Sequence, residues 1–282
     1  MISSNKKNAW ITGHKGFIGS ELKKGLNNFN IFNISRGDIV EKNLLISKRT
    51  SLLKLKKENN LTLKNNFLFH LATNYNPKPK NLYDIKKLIQ DNIVFGLNLL
   101  DSFDYKFFKK MLITQSYMEH YNDNNNLYAT TKRIFGDEIY KIYEKKLIKV
   151  YLYDTFGLND NRNKIINIWL KKLLRNESIN VYSRKTKINL STDKFITSVI
   201  SNIEKIKPGS YEIRSKVELT LEDLAVLLKK MTNSKSNIIF NDNKITPIKK
   251  KYENLSKYFK KSYEIKDFKK EIYEMIEVLN CV

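Results

Sequence analysis

The chain has 282 residues, with 52 Lys+Arg against 29 Asp+Glu, a formal net charge of +23, 41% hydrophobic and 12% aromatic residues, three His and one Cys. That length and apolar content can fill one large core or two smaller ones, which excludes wholesale disorder. The lone Cys281 excludes an internal disulfide framework and a thiolate metal cluster, and the expected compartment is the reducing cytoplasm. The opening MISSNKKNAWITG lacks a basic head, apolar stretch and cleavage site, and no run of about 18 apolar residues follows, so neither secretion nor a membrane span is expected. The charge invites a polyanion partner. Yet only seven of the 52 cationic residues are Arg and the Lys are strewn among Asn and Ile, a pattern that compositional bias produces by itself, so specific nucleic-acid binding is not expected.

In chain order, Asn8 to Thr12 reads as a strand, Gly13 to Gly19 as a turn and Ser20 to Leu26 as a helix, followed by a strand over Ile31 to Ser35. From Asp38 to Asn66 the chain is polar and Lys-rich, with a helix expected around Leu52 to Lys57. Phe67 to Ala72 is continuously apolar, as a strand buried on both faces of a parallel sheet would be. Pro77 and Pro79 mark a loop, and Leu82 to Ser102 a long helix. A strand over Lys110 to Thr114 ends in Gln115-Ser116-Tyr117; a helix spans Leu127 to about Lys146; a strand covers Ile148 to Tyr153. Such alternation predicts an α/β chain, a Rossmann-like doubly wound parallel sheet over residues 1–157, with a smaller C-terminal α/β substrate-binding part over 158–282. There the expected elements are a helix over Ile165 to Arg175 with Trp169 in its core, a strand over Ser178 to Tyr182, and a helix capped by Thr192 and running through Ile203. A strand at Tyr211 to Ile213, a capping box at Thr220 to Asp223 before a helix to Met231, and a closing helix over Ile265 to Val278 complete it.

Gly13, Gly16 and Gly19 lie three apart between strand and helix. That placement suits a sharp turn, close approach of backbone to a pyrophosphate, and helix-on-strand packing, with Lys15, Phe17 and Ile18 in the same cradle. Three of only nine glycines fall in this turn, so a bound dinucleotide is expected. At the end of the second strand an acidic residue would select NAD(H). This chain has Ser35-Arg36, with Asp38 two residues later, and Arg36 with Lys15 suits a 2′-phosphate; NADP(H) is preferred, with NAD(H) as the alternative.

Tyr128 and Lys132 stand four apart at a helix start and share a face. A phenol titrating near 10 is a poor acid or base at neutral pH, and a neighbouring ammonium favours its phenolate. Ser116, ending a parallel strand, is placed to bond a substrate oxygen beside a cofactor. The three His lie in unrelated contexts without ligand spacing, so no metal site is expected.

The segments TGHKGFIG, FHLAT, the Asp91 to Leu100 helix, ITQS, YATTK and LYDTFG occur in the order found in extended short-chain dehydrogenase/reductases of the epimerase/dehydratase type, and the chain resembles that family. The short Ser116-to-Tyr128 interval, Thr73 after HLA and the run from Tyr153 to Arg162 look most like the branch with CDP-abequose and CDP-paratose synthases, nucleotide-sugar 4-ketoreductases. The resemblance implies Ser116, Tyr128 and Lys132 as catalytic residues. It implies Leu71, Ala72, Thr73, Asn92 and Tyr153, besides the glycine turn, at the cofactor, and Thr73, Asn74, Ser116, Tyr117, Asp154 and Arg162 at the substrate. Asp154 stands where the wider family has Asn. It further implies a role in surface-polysaccharide sugar biosynthesis and a homodimer paired through two helices, here Leu88 to Leu100 and Ile134 to Ile142. A 4-epimerase with bound NAD, and a non-catalytic polyanion or RNA platform, remain as alternatives.

Overall fold

A computed structural model describes residues 6–35, 65–103, 105–120, 126–241 and 251–281. The chain divides into two compact units, Met1–Tyr151 with Ile200–Tyr211, and Leu152–Val199 with Glu212–Val282.

In the first unit, β1 (Lys7–Thr12), the helix α1 (Phe17–Gly25), β2 (Phe29–Ile34) and β3 (Asn66–His70) come first. Next is one continuous helical segment made of α2 (Leu82–Ile89), a π turn (Gln90–Val94) and α3 (Phe95–Asp101). Then follow β4 (Lys110–Ser116), a 3-10 turn (Tyr117–His120), α4 (Leu127–Tyr143) and β5 (Leu147–Leu152). With β9 (Gly209–Ile213) and β12 (Glu253–Asn254) these strands form a parallel seven-stranded central sheet in the order β12-β9-β5-β4-β3-β1-β2. Parallel registers pair Thr12 with Ile34 on one side and with His70 on the other. The doubly wound α/β expectation holds, and its order has a physical consequence. The chain leaves β1 in one direction toward β2 and in the other toward β3, so a crevice opens beyond their carboxyl ends.

Aromatic side chains fill this unit's core. Trp10 stacks on Phe32 at 4.5 Å between ring centroids and meets Phe103 and Phe107 edge-on at 5.5 and 5.4 Å. Phe95, Leu99, Met111, Ile113, Phe135 and Ile139 continue the cluster beneath the helices. The Trp10 indole donates to Asn66 at 3.0 Å, which satisfies its one polar atom in the interior.

The second unit holds β6 (Asp154–Phe156), α5 (Ile165–Leu174), β7 (Ile179–Val181), β8 (Lys187–Thr192), α6 (Asp193–Ile200), β10 (Glu218–Thr220), α7 (Leu221–Met231), β11 (Ile238–Phe240), the short α8 (Leu255–Tyr258) and α9 (Ile265–Asn280). Trp169, Leu170 and Leu173 are buried, as their helical spacing predicts. Two expectations are corrected. The helix after Thr192 stops at Ile200 and passes into turns before Ile203. At Thr220 the hydroxyl caps the Asp223 amide at 3.0 Å, but the Asp223 carboxylate takes that hydroxyl's proton and not the backbone N–H, so the box is half formed. A complete box starts α9, between Glu264 and Asp267. The helix expected near Leu52 to Lys57 lies outside the described residues. No described helix is long and apolar enough to cross a membrane.

Candidate active site

The crevice between β1 and β3 is shaped by glycine. Gly13 has φ +69°, and a Cβ there would stand 2.7 Å from the Ala72 amide nitrogen, so the turn lies directly on the Leu71–Ala72 backbone. A Cβ on Gly19 would run into the Gly13 carbonyl. Only glycine allows both the left-handed turn and the close contact. Helix α1 starts at Gly16 with no side-chain cap and no acidic residue in its first turn, leaving its N–H dipole directed at the crevice, with Phe17 and Ile18 half-buried and Lys15 exposed. Such a cradle, which a Cβ would fill, suits a dinucleotide pyrophosphate. Ser35 follows the end of β2; Arg36 and Asp38 lie outside the described residues.

Thr12, which the sequence reading passed over, and His70 lock the two strand ends together. The Thr12 hydroxyl accepts from the Ala72 amide at 3.2 Å and is hydrogen-bonded to His70 Nδ1, 2.9 Å away. Full burial, with the Lys132 charge adding to it, pushes the His70 imidazole down to about 3, so it is neutral at ordinary pH. Such pairing is invisible along the chain because it joins neighbouring strands.

Beyond β3, Asn92 organises the next loop from inside the π turn, a helical irregularity common at functional sites. Its Oδ1 accepts from the Asn74 amide at 2.7 Å and the Thr73 hydroxyl at 3.2 Å. Its Nδ2 donates to the Asn74 carbonyl and to Thr131 of α4, both at 3.1 Å. Asn74 also donates to Asp91 at 3.1 Å. Residues 71–74 are thereby tied to the helix that carries Tyr128 and Lys132.

Asn126 caps α4 by accepting from the Ala129 amide at 3.1 Å. The first helical residue is Leu127, so Tyr128 and Lys132 occupy the first two turns, and both are buried, at 8% and 4% exposure. Helix α4 packs on β4 and on the 3-10 turn. Ser116 ends β4, and its hydroxyl accepts from the Met118 amide at 3.3 Å, with Tyr117 half-buried beside it. The adjoining Gln115 donates to the Lys132 carbonyl at 2.9 Å, which joins strand and helix at this level. Tyr75 meets the Tyr128 ring edge-on at 5.1 Å. Burial lowers the Lys132 ammonium to about 8, with the Glu119 carboxylate opposing that shift.

Glu119 is a further residue that sequence reasoning missed. It is 8% exposed, accepts from the Ser116 amide at 2.7 Å and from Gln115 at 3.2 Å, and burial raises it to about 7. The signal was present: Ser116-Tyr117-Met118-Glu119 is the Ser-x-x-Glu pattern of a capping box.

The remaining expected residues lie in the second unit. The buried Tyr153 hydroxyl donates to Glu212 at 2.9 Å, and Arg214 holds the other Glu212 oxygen at 2.6 Å. Asp154 begins β6. The Arg162 guanidinium grips both oxygens of the buried Asp160, at 2.6 and 2.7 Å, and donates to Thr155 at 2.8 Å. Burial lowers the nearby Lys164 to about 8, opposed chiefly by Asp154.

No protein-family model and no curated sequence matches the chain. Solved structures do. A UDP-N-acetylglucosamine 4-epimerase from Methanobrevibacter ruminantium M1 superposes with a TM-score of 0.74 at 19% identity, covering 96% of this chain and 97% of the other. A UDP-glucose 4-epimerase from Thermotoga maritima gives 0.72 at 15%, covering 97% and 99%. A GDP-mannoheptose C4 reductase from Campylobacter jejuni, solved with NADP, gives 0.69 at 18%, covering 98% and 99%. At these identities the likeness is one of fold, and it extends over both units.

Proposed function

We propose that the protein is an NAD(P)H-dependent oxidoreductase of the extended short-chain dehydrogenase/reductase type that reduces the C4 ketone of a 4-keto sugar nucleotide, and that it works as a homodimer. The observation that carries this reading is the convergence, within one unit, of a glycine cradle beyond β1 and β3 with a buried Ser116, Tyr128 and Lys132 at the end of β4 and the start of α4. The fold shared with sugar-nucleotide epimerases and a C4 reductase supports the substrate class.

The residues present fit a dinucleotide, which would supply the hydride. The first turn of α1 and Gly13, Gly16 and Gly19 would hold its pyrophosphate, and Leu71, Ala72 and Thr73 would line it. Ser35, with Arg36 next in sequence, supports NADP(H) over NAD(H). Lys132 orients the ribose with its ammonium and favours loss of the Tyr128 proton. Tyr128 Oη delivers that proton to the ketone oxygen, and Ser116 Oγ donates a second hydrogen bond to the same oxygen, so the alcohol forms without free alkoxide. Thr73, Asn74 and Tyr117 would contact the sugar. Within the second unit, Arg162 is held in a fixed orientation by Asp160 and Thr155, as an anion-binding guanidinium would need.

The test is NADPH oxidation with CDP-, dTDP-, UDP- and GDP-linked 4-keto sugars. The expected result is turnover with at least one, lost by about 10²-fold or more in Tyr128→Phe while the fold persists. No oxidation with any of them sinks the reductase. Stoichiometric NAD retained through purification would point to a 4-epimerase, and polyanion binding untouched by Tyr128→Phe in an inactive protein to a binding platform.

A further inference from the structure

Glu119 sits in the interior beside the reacting groups with no role in the chemistry above. Its carboxylate completes a reciprocal cap: it accepts from the Ser116 amide while the Ser116 hydroxyl accepts from Met118. Capping explains that geometry but needs no charge, since Gln serves equally in such a box. The second link is through Gln115, whose amide nitrogen donates both to Glu119 at 3.2 Å and to the Lys132 carbonyl at 2.9 Å. Gly136 makes room for it, because a Cβ there would overlap the Gln115 amide. One side chain therefore fixes the Ser116 backbone directly and the Lys132 backbone through a single intermediary.

On the reductase reading given above, we propose that Glu119 is a positioning residue that holds Ser116 in register and serves as the buried counter-charge of the Lys132 ammonium. The surrounding charges leave that task to Glu119. Asp137 on α4 is bound to Lys149 of β5 at 2.9 Å; Asp91 in the π turn accepts from Asn74; His70 on β3 is neutral; His120, next to Glu119, packs against the Tyr151 ring at 4.6 Å between centroids. Burial drives Lys132 toward its uncharged form, and the Glu119 carboxylate is what opposes it. A neutral Lys132 would neither hold a ribose hydroxyl as strongly nor favour the Tyr128 phenolate.

Glu119→Gln keeps the cap and removes the charge. In protein carrying ¹³C-labelled lysine, with the Lys132 resonance identified by its loss in Lys132→Arg, the Lys132 titration midpoint is expected to fall by on the order of 1 pH unit in Glu119→Gln. Glu119→Asp restores the charge and brings the midpoint back toward wild type. The alkaline limb of kcat for NADPH oxidation should move down with the Lys132 midpoint. A Lys132 midpoint unchanged in Glu119→Gln overturns the proposal, and if that variant does not fold, an unchanged midpoint in Glu119→Ala, which also removes the carboxylate, does so. If the wild type oxidises NADPH with no sugar nucleotide, the reductase reading falls, while the NMR midpoint still decides the Glu119–Lys132 coupling.

Discussion

Thr12 has one hydroxyl and two neighbours that need it. It accepts from the Ala72 amide and is hydrogen-bonded to His70 Nδ1, and the His70 ring lies beside those of Phe95 and Phe135 at 5.9 and 5.2 Å between centroids. An imidazolium would carry a charge into a buried aromatic pocket close to the Lys132 ammonium. The folded protein therefore refuses a proton down to about pH 3 that the unfolded chain takes up at about 6.5. Unfolding thus binds a proton between those values, and stability drops as pH falls below 6.5, by about 1.4 kcal/mol per unit at most. Glu119 acts in the opposite sense: its folded value near 7 lies above the ordinary 4.5, so its contribution grows as pH falls through 7 and levels off below 4.5. The His70 effect is isolated by difference. Urea unfolding from pH 7 to pH 4 should show a shallower acid loss in His70→Gln than in wild type; equal slopes would mean that His70 is protonated in the folded state.

Helix α4 shows how much of the site is local. Its start is set by Asn126, and the Tyr-x-x-x-Lys spacing puts both groups on one face, so that part was legible in the sequence, as was the glycine turn whose three residues fall within seven positions. The roles of Thr12, His70 and Gln115 were not, because each acts across strands or between strand and helix, and parallel register is not written in any one segment; Glu119 was legible only as a Ser-x-x-Glu cap. Strands β6, β8, β10 and β11 also escaped; three of them have only three residues, which leaves little room for alternation, although β7 of the same length was expected. The outer faces of the same helices carry a further consequence. Leu82, Tyr83, Ile89 and Leu97 are exposed along α2 to α3, and Ile134 and Ile142 along α4, at 40 to 72%. Six large apolar side chains on two helices of one unit fit an antiparallel pairing with a second copy. In sedimentation the wild type is expected at twice the 33.3 kDa chain mass, and Ile142→Glu at a lower average. A monomeric wild type at micromolar concentration would refute the pairing.

The net charge of +23 acts on the molecule as a whole, and its two consequences carry opposite signs in salt. Ion pairs such as Lys141–Glu138 and Lys216–Glu264 are exposed and contribute little. With 52 cationic side chains against 29 acidic ones, repulsion among lysines opposes folding, and screening relieves it. An anionic dinucleotide drawn to the crevice benefits from the same field, and screening weakens that attraction. Raising NaCl from about 20 to about 200 mM shortens the Debye length from roughly 20 to below 10 Å. Over that range the Tm of the ligand-free protein should rise while NADPH affinity, read by fluorescence titration, falls. If both fell together, specific ion pairs would outweigh the general repulsion. If affinity held constant while Tm rose, the lysines would be a surface property alone, with no part in bringing the cofactor to Gly13.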